Sequence, residues 1–254
     1  MTGHTAPRNS GPRVAVVTGG GRGIGAAICR RLATDGFAVA VNYSHSKPDA
    51  EAVVKSITAD GGSAVAIQAD VSSSDEAAGL ISRAQDLLGT PTVLINNAGL
   101  NISGSVRKLT PAQWDRVIGV NLSGAFYCTH AALAGMYEAG WGRVVLFGSP
   151  AGGRGLMPAM TSYAAAKAGL VAFAGSMAKE VARRGITVNT IVPGFVETDM
   201  TRAEGDQAMS EMRSKWPGIS PEGVAGVVSF LVGDDAAYVS GEEIGVWLGG
   251  PVHF

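Results

Sequence analysis

The stretch Arg13-Val14-Ala15-Val16-Val17-Thr18-Gly19-Gly20-Gly21-Arg22-Gly23-Ile24-Gly25 changes character halfway along. Its first half is a near-continuous apolar run, the pattern of a strand buried on both faces of a parallel sheet. The glycines that follow permit a tight turn and let backbone N–H groups approach an anion. Beyond them a helical pattern begins near residue 24, and a helix N-terminus adds partial positive charge at that spot. A glycine cluster alone is a weak sign. In a strand–loop–helix setting it reads as a cradle for the pyrophosphate of a dinucleotide, against the plainer reading of a turn with no ligand.

Working outward, the same alternation repeats. Apolar runs at 37–42, 64–69 and 93–96, with strand candidates at 143–147, 186–192 and 243–247, alternate with helical patterns. The helical patterns lie near 24–34, 48–59, 74–88, 111–138, 161–184 and 221–232. Pro111 and Pro221 stand where a first helical turn accepts proline. Strict β/α alternation predicts an α/β fold, a Rossmann-type doubly wound parallel sheet of about seven strands flanked by helices.

Hydrophobic residues make up 46% of the 254 and charged residues only 16%, which excludes disorder for most of the chain. We expect a single dinucleotide-binding and catalytic domain over 13–254 and a loose polar extension over 1–12. A flap is expected over about 197–220, where Met, charge and Gly break the pattern. A net charge of −1 gives no case for nucleic acid or an anionic membrane surface. The longest apolar stretches fall short of the ~20 residues of a bilayer span, and the polar start is no secretory signal. Cys29 and Cys128 cannot frame the fold, which fits a reducing cytosol. We therefore expect a soluble, cytoplasmic protein with no metal site.

Three further motifs follow in order: Asn96-Asn97-Ala98-Gly99, Tyr163-Ala164-Ala165-Ala166-Lys167 and Pro193-Gly194-Phe195-Val196-Glu197-Thr198-Asp199-Met200. With the glycine loop they resemble the short-chain dehydrogenase/reductase family over about residues 13–250. Within it they look most like 3-oxoacyl-(acyl carrier protein) and acetoacetyl-CoA reductases.

Residues four apart share a helix face, so Tyr163 and Lys167 project side by side. A phenol of reference pKa about 10 is a poor proton donor and acceptor at neutral pH unless a cation stabilises its phenolate. Lys167 supplies that cation, and Tyr163 would then protonate a carbonyl oxygen as hydride arrives. By themselves, a Tyr and a Lys on an amphipathic helix are ordinary; beside the glycine loop and the Asn97 motif they are not. The resemblance implies that Ser149 hydrogen-bonds the substrate oxygen and that Asn121 holds a water linking Lys167 to solvent. Ser149 stands one residue further from Tyr163 than in the reductases it resembles. We read the extra residue as a lengthened loop among Gly152, Gly153, Arg154 and Gly155.

Cofactor contacts are expected from Thr18, Gly19, Gly21, Arg22, Gly23, Ile24 and Gly25. An acidic residue after the second strand would accept a ribose 2′-hydroxyl, but Tyr43 stands there, beside Ser44. Arg22 can meet a 2′-phosphate bidentately, so NADP(H) is favoured over NAD(H). By resemblance, Asp70 and Val71 border the adenine. Asn97, with Ala98 and Gly99, borders the adenosine ribose. Lys167 hydrogen-bonds the nicotinamide ribose, beside Tyr163, and Ile24, Pro193, Gly194, Val196 and Thr198 surround the nicotinamide.

The resemblance implies NADPH-dependent reduction of a 3-oxoacyl thioester in fatty acid biosynthesis, with an acyl carrier protein as a possible partner. An acidic carrier would need a basic patch, to which Arg183 and Arg184 could contribute, although cations at a helix end also suit its dipole and Trp141 stands where related reductases carry a second docking cation. Two alternatives stay open: a dehydrogenase for another small alcohol, sugar or polycyclic ketone, and a non-catalytic dinucleotide-binding scaffold or redox sensor. The closing Val246-Trp247-Leu248 departs from the pattern of those reductases. Long apolar helices at 111–138 and 161–184 exceed what one sheet face covers, which marks an oligomer interface; the resemblance implies a homotetramer.

Overall fold

The computed structural model describes residues 13–154, 158–196, 198, 210 and 217–248. The apolar run after Arg13 forms β1 (Val14–Val17), and all four of its residues are buried. Ala15 and Val17 enter one core layer while Val16 enters the other. The same period of two runs through β2 (Ala38–Tyr43) and β4 (Pro91–Asn96), where Val41 and Ile95 face one layer and Ala40 and Leu94 the other. Strands buried on both faces need helices on both faces.

On one side these are α1 (Gly23–Thr34), α2 (Lys47–Ala59) and α8 (Pro221–Val232). On the other are α3 (Ser74–Leu88), α5 (Gly124–Ala139) and α7 (Thr161–Val181). With β3 (Ala64–Gln68), β5 (Gly142–Phe147), β6 (Ile186–Pro193) and β7 (Glu243–Val246), the sheet runs β3-β2-β1-β4-β5-β6-β7, and every pairing is parallel. The strand order reverses between β1 and β4, so a crevice opens there at the carboxyl ends.

Helix starts follow side-chain chemistry. α4 (Pro111–Ile118) opens on a capping box between Thr110 and Gln113, with Pro111 in the first turn. Ser73 accepts from the Glu76 N–H at 3.3 Å to open α3, and Ser220 accepts from the Gly223 N–H at 3.1 Å to open α8.

Three regions differ from the sequence expectation. The run 111–138 is not one α-helix: a π turn (Gly119–Ser123) separates α4 from α5. There the Asn121 side chain donates to Val117 O at 2.9 Å and Leu100 O at 2.8 Å, competing with the regular helix ladder. The run 161–184 ends in a 3₁₀ turn (Ala182–Arg184) closed by Gly185 at φ 69°. The expected loop after Ser149 instead begins as a short helix, α6 (Pro150–Arg154).

Contrary to the expectation of short apolar stretches, the helical run Pro111–Ala139 is long and apolar enough by composition to cross a membrane. Here Val120, Ala125, Cys128, Ala132 and Met136 on this run are buried in the second core layer. The 1–12 extension and most of the expected flap, including Glu197 and Asp199, lie outside the described residues. At the flap's two ends, Val196 pairs with Ile219 in a parallel bridge.

Candidate active site

The glycine loop is shaped by what a side chain would strike. Gly19 sits at φ +62°, and a Cβ there would lie 3.1 Å from the Ala98 Cα. A Cβ on Gly25 would run into the Gly19 carbonyl. The two glycines thus let the turn close against itself and against the segment after β4. Polar side chains then lock it. Asn42 Oδ1 accepts from the Gly19 N–H at 3.2 Å, and Asn97 Nδ2 donates to Thr18 O at 3.0 Å and Gly19 O at 3.1 Å. Unlike α3, α4 and α8, helix α1 has no side-chain cap, and unlike α3 and α8 it has no acidic residue in its first turn. Its N-terminus, opening on the crevice, suits a phosphate.

A cavity of about 1030 Å³ occupies the carboxyl ends of the strands. Of the site residues expected from sequence, all line it except Thr18 and Asn121. Thr18 is buried, and its hydroxyl serves the fold: it donates to Ile95 O at 3.3 Å and accepts from the Ala98 N–H at 2.9 Å. Arg22 stands 3.5 Å from the Asp49 carboxylate at the rim, near half-buried Tyr43 and Ser44. At the edge beyond β3, Asp70 pairs with Arg116 at 2.8 Å. Burial raises the Asp70 pKa, but hydrogen bonds from Ser72 and Arg116 outweigh it and hold the carboxyl below its ordinary value.

At the other end lie Ser149, Tyr163 and Lys167. The first follows β5, and the other two stand one turn apart on α7. Lys167 is buried and donates to Phe147 O at 2.6 Å, with its ammonium 5.5 Å from the centre of the Tyr163 ring. Burial lowers its pKa to about 8. Burial raises the Tyr163 pKa, opposed by a hydrogen bond with Ser149. Asn121 reaches the same place from behind. A Cβ on Gly99 would lie 2.8 Å from Asn121 Oδ1 and 3.6 Å from Lys167 Nζ, and that Oδ1 is a buried acceptor with no partner among the described residues. A phenol, a hydroxyl and a buried cation together can deliver a proton to a carbonyl oxygen and stabilise the anion left behind.

Ser149 also starts α6: its Oγ accepts from the Ala151 N–H at 3.2 Å. The additional residue is thus wound into a helical turn rather than spread along a loop. A Cβ on Gly152 would come within 2.9 Å of the Lys167 backbone, so the glycine lets this turn press against α7. Gly-Gly-Arg-Gly reads as a loop because propensity carries no information about that packing.

Sequence reasoning missed Asn42, Arg116, Met160 and Trp247 as cavity residues. Asn42 closes the apolar run 37–42, which reads as strand and hides its polar side chain. Arg116 and Met160 carried no local signal, since distant segments bring them in. Trp247 was noted only as a departure from pattern.

The family model described as short chain dehydrogenase matches residues 13–208. Among known proteins, a 3-oxoacyl-[acyl-carrier-protein] reductase of Synechocystis sp. is 41% identical over 243 residues, 95% of this chain and 98% of that protein. The 3-oxoacyl-[acyl-carrier-protein] reductase FabG of Staphylococcus aureus is 40% identical over 236 residues, 91% of this chain and 95% of that protein. Among solved structures, a blue fluorescent protein from a metagenomic library in complex with NADPH superposes with a TM-score of 0.87. It is 37% identical, covering 94% of this chain and 98% of that one. A Serratia marcescens short-chain dehydrogenase/reductase gives a TM-score of 0.87 at 34% identity, covering 93% and 96%.

Proposed function

Because this chain belongs to the short-chain dehydrogenase family, we propose that it reduces a 3-oxoacyl thioester to the 3-hydroxyacyl thioester with NADPH. The observation that carries the proposal is the grouping of Ser149, Tyr163 and buried Lys167 in one cavity with the glycine cradle. The names of the relatives from Synechocystis and Staphylococcus support the thioester. The NADPH bound in a related structure, and the absence of a carboxylate at Tyr43, support the cofactor.

NADPH, when bound, supplies the hydride. Gly19, Gly21, Gly23 and the start of α1 hold its pyrophosphate, and Arg22 with Ser44 meets the 2′-phosphate. Asp70 and Val71 border the adenine, Asn97 the ribose beside it, and Ile24 with Pro193, Gly194, Val196 and Thr198 the nicotinamide. Ser149 hydrogen-bonds the substrate carbonyl oxygen. Tyr163 gives that oxygen its proton as the carbon–oxygen double bond becomes a single bond. The Lys167 ammonium stabilises the phenolate that remains, and Asn121 Oδ1 holds a water through which the proton is replaced.

The apolar side chains of Met160, Phe195, Trp247 and Leu248 in the cavity lining favour a second reading in which the ketone carries a bulkier apolar group. A substrate panel separates the two. With NADPH, acetoacetyl-CoA is expected to be turned over, with a kcat/KM at least ~10-fold above that with NADH. If thioesters are inert while simple or cyclic ketones react, the thioester reading fails and the ketoreductase chemistry survives. Dependence on an acyl carrier protein, docking at Arg183 and Arg184, would appear as a lower KM for the carrier-bound substrate.

A cytoplasmic homotetramer completes the proposal. Trp114 on α4 and Phe126 and Tyr137 on α5 are 40–49% exposed, and Phe126 meets Phe173 of α7 edge-on at 6.3 Å, forming an apolar face across these helices. Phe230 near the end of α8 and Tyr238 beyond it supply further exposed aromatic surface. Exposed apolar surface on more than one helix suits a closed assembly of four. Light scattering should give four times the chain mass, and Phe126→Glu should lower it. A monomer in the unsubstituted protein overturns this part.

A further inference from the structure

The segment Gly245-Val246-Trp247 ends β7 and brings an indole into the cavity lining, at a residue where the sequence departs from the reductases it resembles. Gly245 and Trp247 stand two apart, so they share one face of the strand. The indole lies back across the glycine. A Cβ on Gly245 would fall 2.7 Å from Cζ2, 2.9 Å from Cε2 and 3.1 Å from Cη2 of the ring. The root of the side chain is held as well. A Cβ on Gly194 would lie 2.7 Å from the Trp247 Cβ, and the Gly194 N–H donates to Val246 O at 2.9 Å. An indole turns about only two bonds, and here strand backbone lies directly behind the ring. It cannot retreat into the strand, whereas a flexible methionine in such a wall would yield.

We propose that Trp247 is a specificity-determining residue that limits the acyl chain, so that the protein takes short 3-oxoacyl groups and turns away long unbranched ones. The inference rests on the thioester reading above. The alkyl end of such a substrate is apolar and favours the side of the ketone where Phe195 and Trp247 line the cavity, while the polar thioester arm runs to solvent. The sheet sets the reach. Ser149 follows β5, and only β6 separates β5 from β7. Neighbouring strands lie about 4.8 Å apart, so the ends of β5 and β7 stand roughly 10 Å from each other. A chain leaving a ketone at Ser149 toward β7 therefore meets the indole after a few methylenes. A wall that cannot move discriminates by clash rather than by attraction.

The test compares kcat/KM, with NADPH, for acetoacetyl-CoA and 3-oxodecanoyl-CoA. The unsubstituted protein is expected to favour the shorter substrate by ~10-fold or more. In Trp247→Ala that ratio should fall below ~3-fold through a gain on 3-oxodecanoyl-CoA, and Trp247→Phe should lie between. A gain on one substrate is the readout, because general damage to the fold lowers turnover of both alike. Gly245→Ala acts in the opposite sense and keeps the inference testable should Trp247→Ala not fold. Its Cβ takes the place of the ring and drives the indole away from the strand, so the ratio should rise. A ratio near one in the unsubstituted protein overturns the inference, as does a ratio that these substitutions leave unchanged. Turnover of neither thioester by a protein that still binds NADPH would overturn the thioester reading, and this inference with it.

Discussion

Lys167 carries an unusual load for one side chain: it is a buried cation whose pKa has fallen to about 8. Tyr163 is shifted the other way, so over the neutral range its phenol keeps the proton that reduction requires. The sign of the pH dependence follows. Reduction needs a protonated Tyr163 and a charged Lys167, and the lysine loses its proton first as pH rises. kcat/KM for ketone reduction should be flat below neutrality and fall ~10-fold per pH unit above about 8. A profile flat to pH 10 would remove Lys167 from control. Tyr163→Phe should leave NADPH affinity within about twofold and lower kcat by ~10³-fold or more, measured by single-turnover kinetics. These roles could be argued from a spacing of four on one helix. The contribution of Arg116 could not, because nothing in the sequence places it against Asp70, a residue 46 positions earlier.

Helix boundaries tell a similar story at the scale of elements. Proline and capping signals at Thr110-Pro111 and Ser220-Pro221 mark where α4 and α8 begin, because those choices are made within one turn of chain. The π turn at Gly119–Ser123 and helix α6 left no such mark. Each exists because of a tertiary partner: Leu100 O for Asn121, and the α7 backbone for Gly152. The two kinds of feature should answer differently to mutation. Thr110→Ala loses only a cap, so it should cost about 1 kcal/mol of stability and leave kcat unchanged. Asn121→Ala loses both carbonyl contacts and leaves buried acceptors unmet, so it should cost about 1–3 kcal/mol and lower turnover as well. Chemical denaturation beside steady-state assays separates the two. Equal effects on activity would mean that Asn121 is no more than part of the helix.

For the molecule as a whole, seven strands and their alternation with helices could be read from the chain, since a sheet buried on both faces writes nearly continuous apolar runs. Strand order is less visible, as no residue in β1 announces that β4 will lie beside it. That placement has a consequence in time. A ribosome adds on the order of 5–20 residues each second, so β4 follows β1 by roughly 4–16 s. Until then, one edge of β1 has no partner, and neither Asn97 nor the Ile95 carbonyl exists to fix Thr18 and Gly19. The emerging chain therefore displays its most recognisable nucleotide-binding sequence well before it has the means to hold a nucleotide. During that interval, the open edge of a strongly apolar strand is what the cell must guard.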